Sequence, residues 1–176
     1  MAWYEGRSAG ELLEELSVRI YESPLLELRL KGKWPSSAAL RNLGLFLDFD
    51  TEVSMQGMVG FLENQGLNLP ATIEMFRTVG AQQTAEQLVE VQRIMDKHGI
   101  TAAKLRADVN GRAEFEITTF RNLHGSEAAV MAEEVTQVSQ NLYLNRPETE
   151  DVYALVEAYI AKHLTEVISS LEDVCA

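Results

Sequence analysis

Apolar residues recur three and four positions apart along most of this chain, which places them on one face of an α-helix and limits the fold more than any other feature. Ser8 and Glu11 have the spacing of a capping box, and Leu12, Leu13, Leu16 and Ile20 follow at helical intervals, so a first helix is expected over 8–21. The short run 25–30 alternates Leu26, Leu28 and Leu30 with Glu27 and Arg29, a pattern open to strand or brief helix. Gly32, Pro35, Ser36 and Ser37 read as a loop ahead of a helix striped with Leu40, Leu43, Phe46 and Leu47. Asp50 then suits the N-cap of a new helix over 51–63 that buries Val53, Met55, Val59 and Leu62. Asn64, Gly66 and Asn68 end it, and Pro70 opens a helix with Ile73, Phe76 and Val79. After Gly80, a long helix over 83–97 stops at His98 and Gly99.

Helical spacing lapses only once. Leu105, Ala107 and Val109, then Asn110-Gly111, then Ala113, Phe115 and Ile117 read as two alternating runs across a hairpin turn, so a small β-hairpin is allowed over 104–118. Val130, Val135, Val138 and Leu142 restore the helical period, and one last helix after Pro147 carries residues from Val152 to Leu171. The expected fold is mostly α, a compact multi-helix single domain over 1–176, with 46% hydrophobic residues to build one core.

The charge balance then narrows the partners. Twenty-seven acidic against 15 basic residues leave −12. The stretch 123–176, with ten acids and two bases, supplies −8 of it. Direct binding to nucleic acid needs clustered Lys and Arg and is not expected; a basic protein is the partner such a surface attracts. Glu127, Glu133, Glu134, Glu148, Glu150, Asp151, Glu157 and Glu166 are the candidate partner-binding acids. No apolar run approaches the roughly 20 residues that span a bilayer, so no membrane is expected. Residues 1–5 lack the basic and apolar regions of a signal peptide, and the cytoplasm is the expected compartment. Cys175 is the only cysteine, which rules out an internal disulfide and a zinc site of cysteine type.

Catalytic, metal-binding and cofactor-binding residues are not expected. His98, His124 and His163 each stand apart from a second ligand at motif spacing and read as surface or helix-end residues. Asp48, Asp50 and Glu52 alternate like the opening of a calcium loop, but Val53 stands where the loop requires Gly and residue 59 is not Glu. No glycine-rich phosphate loop and no Gly-x-Ser-x-Gly elbow occurs. Glu52, beside Val53 at an expected helix start, is the leading candidate for an inward carboxylate, so an enzyme using it is one alternative function. A toxin-neutralising or scaffold protein whose charge serves solubility is another.

The run from Glu52 to Asn64 (EVSMQGMVGFLEN) resembles a motif, roughly E-V-x-N-G-G-F-x-Q-Y-F-x-N, of the bacterial DNA-mimic-protein-like family. This family of small helical acidic proteins, long classed as a domain of unknown function, includes the neisserial DNA-mimic protein. Glu52, Val53, Gly57 and Asn64 match and Phe61 is conservative, while Gln56, Met58 and Gly60 depart from the pattern. Gly80-Ala81 and Tyr159-Ile160-Ala161-Lys162-His163 also resemble it, and the similarity spans about 40–166. The resemblance implies an all-helical fold and, for at least one member, a homodimer whose acidic surface imitates DNA and occupies a DNA-binding protein. The motif positions are expected to be structural, with Gly57 permitting close helix approach and Asn64 capping or ending the helix.

Overall fold

The computed structural model of the chain describes residues 2–30, 37–113 and 117–175. Among them the regular structure is helical: α1 (Ala9–Arg19), α2 (Leu25–Leu30), α3 (Ala38–Gln65), a 3-10 turn (Gly66–Asn68), α4 (Leu69–Val79), α5 (Gln82–Lys97), α6 (Ala102–Gly111), α7 (Phe120–His124), α8 (Ser126–Ser139), α9 (Val152–Lys162) and α10 (Leu164–Cys175). The chain divides into two compact units, one of Met1–Leu47 with Val152–Ala176 and one of Asp48–Asp151.

In the first unit α1 begins as its sequence dictates: the Ser8 side chain accepts from Glu11 N, and the Glu11 carboxylate accepts from Ser8 N at 2.8 Å. Leu12 and Leu16 are buried from α1, and Val152, Val156 and Ile160 from α9. Phe46 meets the Tyr153 ring edge to face at 5.7 Å. The ambiguous run 25–30 is helical. The loop read at Gly32, Pro35 and Ser36 lies outside the described residues. The single last helix expected from the sequence is two, α9 and α10, parted at His163.

The second unit is built on three phenylalanines. Phe49 stacks edge to face with Phe61 and with Phe76, both at 5.1 Å, and all three are fully buried with Leu62, Met75, Leu88, Leu105 and Met131. Each such apolar side chain removed from water contributes about 1.5–3 kcal/mol.

Two sequence expectations fail here. No helix starts at Asp50. Every residue from Asn42 to Phe49 is buried, so α3 runs on through Asp50, whose carboxylate accepts from the Tyr143 hydroxyl at 2.8 Å. The interruption falls at Gly57, with φ 71° and ψ 178°, a conformation open essentially to glycine alone. It resets which side chains face inward: Met58 and Phe61 are buried with Leu62, Val53 and Val59 are half-buried, and Met55 is 77% exposed. The β-hairpin is also absent among the described residues. Residues 102–111 are α6, started by Thr101, whose hydroxyl accepts from Lys104 N, and anchored by the fully buried Leu105. Asn110 and Gly111 end that helix, since the residues that turn a hairpin also stop a helix. Phe115, in the second expected run, lies outside the described residues, and Ile117 is fully exposed.

A Cβ at Gly57 would meet nothing within 4 Å, so the constraint there is backbone conformation and not space. Gly57→Ala is expected to lower stability by about 1–3 kcal/mol, measured by urea unfolding, whereas Gly111→Ala, equally free of neighbours but without positive φ, should change it by under about 1 kcal/mol.

Candidate partner-binding surface and motif

Several of the candidate acids bond within the fold, and of these Glu127 and Glu166 are exposed as well. Glu150, in the turn before α9, reaches back across the second unit to the start of α5. It accepts from Gln83 N at 3.1 Å, Thr84 N at 3.0 Å and the Thr84 hydroxyl at 2.7 Å, replacing the N-cap that Ala81 cannot supply. Glu166 does the same in the first unit, accepting from Ala39 N at 3.2 Å and the Ser37 hydroxyl at 2.8 Å at the start of α3. These hydrogen bonds, that from Ser37 foremost, hold the Glu166 carboxyl below its usual pKa.

Glu127 and Glu134 belong to a clasp around His98. The imidazole Nδ1 lies 2.5 Å from Glu127 and Nε2 lies 3.1 Å from Glu134, with the histidine side chain 6% exposed. Lys97 also donates to Glu134 at 2.8 Å. Carboxylates accept only, so both ring nitrogens act as donors, the state of a charged imidazolium. The bond to Glu127, and after it the bond to Glu134, outweigh burial and raise the His98 pKa, while Lys97 first and His98 second lower that of Glu134.

The fully buried His124 side chain forms a second bridge to two partly exposed carboxylates, with Nδ1 2.9 Å from Asp108 and Nε2 2.7 Å from Glu63. Lys104 completes it by donating to Asp108 at 2.5 Å and to the His124 carbonyl at 3.1 Å; its bond to Asp108, with that from His124, holds the Asp108 carboxyl low. All three histidines do sit at helix ends, but His98 and His124 are not surface residues. Around each of these two, the carboxylates occupy opposite ring nitrogens and do not converge on a point. No group of three His, Cys, Asp or Glu among the described residues is placed to hold a metal ion. Long-range pairs of this kind leave no mark in local spacing, which is why the sequence reading missed Glu63, Asp108, Lys97 and Lys104.

Glu133, Glu148, Asp151 and Glu157 remain exposed, the first three in the second unit and Glu157 on α9 in the first. Asp48, Asp50 and Glu52 all lie within α3, not in a loop.

The motif residues surround the break in α3. Glu52 is half-buried and accepts from Asn64 Nδ2 at 3.0 Å and Gln56 Nε2 at 3.3 Å, so it straps the turns before and after Gly57 together. Asn64 acts through that strap, and α3 continues past it to Gln65. Phe61 supplies the core and Val53 one wall of a cleft of about 500 Å³. Close approach belongs to Gly60 and not to Gly57: a Cβ on Gly60 would lie 2.3 Å from the Gln56 Cβ. One of positions 56 and 60 must therefore lack a Cβ. The family pattern places Gly then Gln there, and this chain places Gln then Gly, a reciprocal exchange that obeys the same steric rule.

Gly60→Gln alone should destabilise by about 1–3 kcal/mol through overpacking, and adding Gln56→Gly should restore most of that loss; thermal melts of single and double variants check it. A second expectation concerns pH. The raised His98 pKa gives stability that is full below the unfolded value of 6.5 and is lost as pH rises through the folded value. The lowered Glu134 pKa gives stability that is present above 4.5 and is lost as pH falls through its folded value. The stability difference between the wild-type chain and His98→Gln should therefore be largest between these limits and shrink at higher pH in a series of thermal melts.

No helix among the described residues is long and apolar enough to cross a membrane. Comparison with curated proteins and with solved structures finds no match. The family model described as DMP19-like protein matches residues 36–163, which span the strapped break in α3 and most of the acids placed above. On that match the chain belongs to the DMP19-like protein family.

Proposed function

We propose that this chain is a non-enzymatic acidic binding protein that occupies the basic surface of a DNA-binding partner as a DNA mimic. The observation that carries the reading is the coincidence of family membership with the charge: a chain in the DMP19-like family holds −12, of which −8 falls in 123–176. An array of carboxylates presents to lysines and arginines the same negative field that phosphates do, so association is fast, salt-sensitive and closed to DNA itself.

The hydrogen bonds narrow which acids serve this purpose. Glu127, Glu134, Glu150 and Glu166 are engaged with histidine, lysine or helix N-termini and are held by the fold. Glu133, Glu148 and Glu157, exposed and outside these bonds, are the acids assigned to the partner. An enzyme working through Glu52 finds less support, because that carboxylate is occupied by two side-chain amides and does not line the neighbouring cleft. The reading includes a homodimer, as the family resemblance implies.

The test is displacement of a fluorescent duplex from a basic, sequence-independent DNA-binding protein. At about 50 mM salt the chain should release the duplex at micromolar concentration, and at about 300 mM salt it should be at least roughly tenfold weaker. Glu133→Lys with Glu148→Lys should weaken release at low salt, and the chain alone should leave duplex mobility unchanged. Failure to displace at either salt, or a gel shift of bare duplex by the chain itself, overturns the reading.

A further inference from the structure

The cleft at the α3 break has an uncharged lining in a chain of net charge −12. Its eleven lining residues, drawn from 53–59 and 136–145 within the second unit, include no ionisable side chain. Val53, Val59 and Leu144 give it apolar walls.

Four of the six polar side chains in the lining use donors elsewhere in the fold, while Ser54 and Gln140 can donate as well as accept. The Thr136 hydroxyl spends its proton on the Ala132 carbonyl at 2.7 Å and the Ser139 hydroxyl spends its own on Val135 at 2.6 Å, so both oxygens keep only lone pairs. Asn145 turns its amide nitrogen to the Ser139 carbonyl at 3.0 Å, and Gln56 turns its own to Glu52 at 3.3 Å. The carbonyl end of each amide is left for a ligand. Glu52 adds a negative charge at the edge, one hydrogen bond from the Gln56 side chain, and among the described residues no Lys or Arg lies in salt-bridge range of it. An anion would meet no cation in such a place, and a purely apolar group would leave the oxygens unused.

We propose that this cleft seats an arginine side chain of the basic partner. The aliphatic stem lies along Val53, Val59 and Leu144, and the guanidinium, which donates from five N–H groups and accepts nothing, is met by the oxygens of Thr136, Asn145 and Gln56. The planar fork suits side-chain oxygens spread over two segments, which a compact ammonium does not span, and the cleft is large enough for one whole side chain. This assignment rests on the partner being basic. It adds a shaped recognition element to a surface otherwise governed by charge.

The full chain, labelled with ¹⁵N, is titrated with N-acetyl-arginine methylamide and, separately, with the citrulline counterpart, which has the same shape and no charge. The arginine probe should shift amides within 53–59 and 136–145, and the citrulline probe should bind at least about tenfold more weakly. Thr136→Val with Asn145→Leu should reduce arginine binding by about tenfold, with circular dichroism confirming the helical fold. Glu52→Gln, which keeps side-chain shape, provides a second reduction should the double variant unfold. Equal binding of both probes, shifts confined to other segments, or no shift at all overturns the assignment. Arginine binding without duplex displacement keeps the cleft and removes the DNA-mimic reading; displacement by the wild-type chain that Thr136→Val with Asn145→Leu leaves intact does the reverse.

Discussion

Carboxylate repulsion is the constraint to which the rest of this structure answers. With 27 acids against 15 lysines and arginines, the chain cannot neutralise itself by surface ion pairs, and such pairs contribute little in any case. It meets the problem by placing acids where partial or induced positive charge is available: Glu11, Glu150 and Glu166 at the starts of α1, α5 and α3, and Glu63, Glu127 and Glu134 on histidine rings. A helix start offers several unpaired N–H groups and a favourable dipole, so a carboxylate there accepts from donors that have no partner within the helix. Fewer acids lie outside such bonds than the sequence total suggests.

Much of the helical fold was legible because its determinants are local. The Ser8–Glu11 box, Pro70 in the first turn of α4, Gly80 behind it and the stop at His98 act within a few residues and appear where their spacing puts them. The misreadings share a cause. Asp50 has the chemistry of a cap but directly follows the run buried from Asn42 to Phe49, where packing overrides local preference; Asn110-Gly111 has the chemistry of a turn and was used as a stop. At the motif, the resemblance pointed to these residues, and the reading of Gly57 as the point of close approach was wrong: Gly57 is required for its dihedral angles, and Gly60 for the space it leaves. The histidine clasps could not be read, since their partners lie 16 to 61 positions away.

The strap from Glu52 to Asn64 and the glycine between them form one device. An isolated break in a long helix loses the cooperativity that holds successive turns together. Here the lost continuity is replaced by a side-chain bond across twelve residues and by Phe61, which fixes the second segment to Phe49 in the first. The cleft is a by-product of that geometry, because a helix that changes course cannot fill the space an unbroken one would occupy.

The cap at the start of α3 bears on where this protein can be cut. The segment shared with the family ends at residue 163, three positions before Glu166, and Val167 and Leu171, wholly buried, lie further on. A fragment trimmed to the shared segment would keep the Ser37 cap on Leu40 N, but it would leave Ala39 N without its carboxylate and strip buried side chains from the first unit. Kinship and mechanical completeness thus have different borders in this chain, and the tail beyond the shared segment belongs to the part that folds.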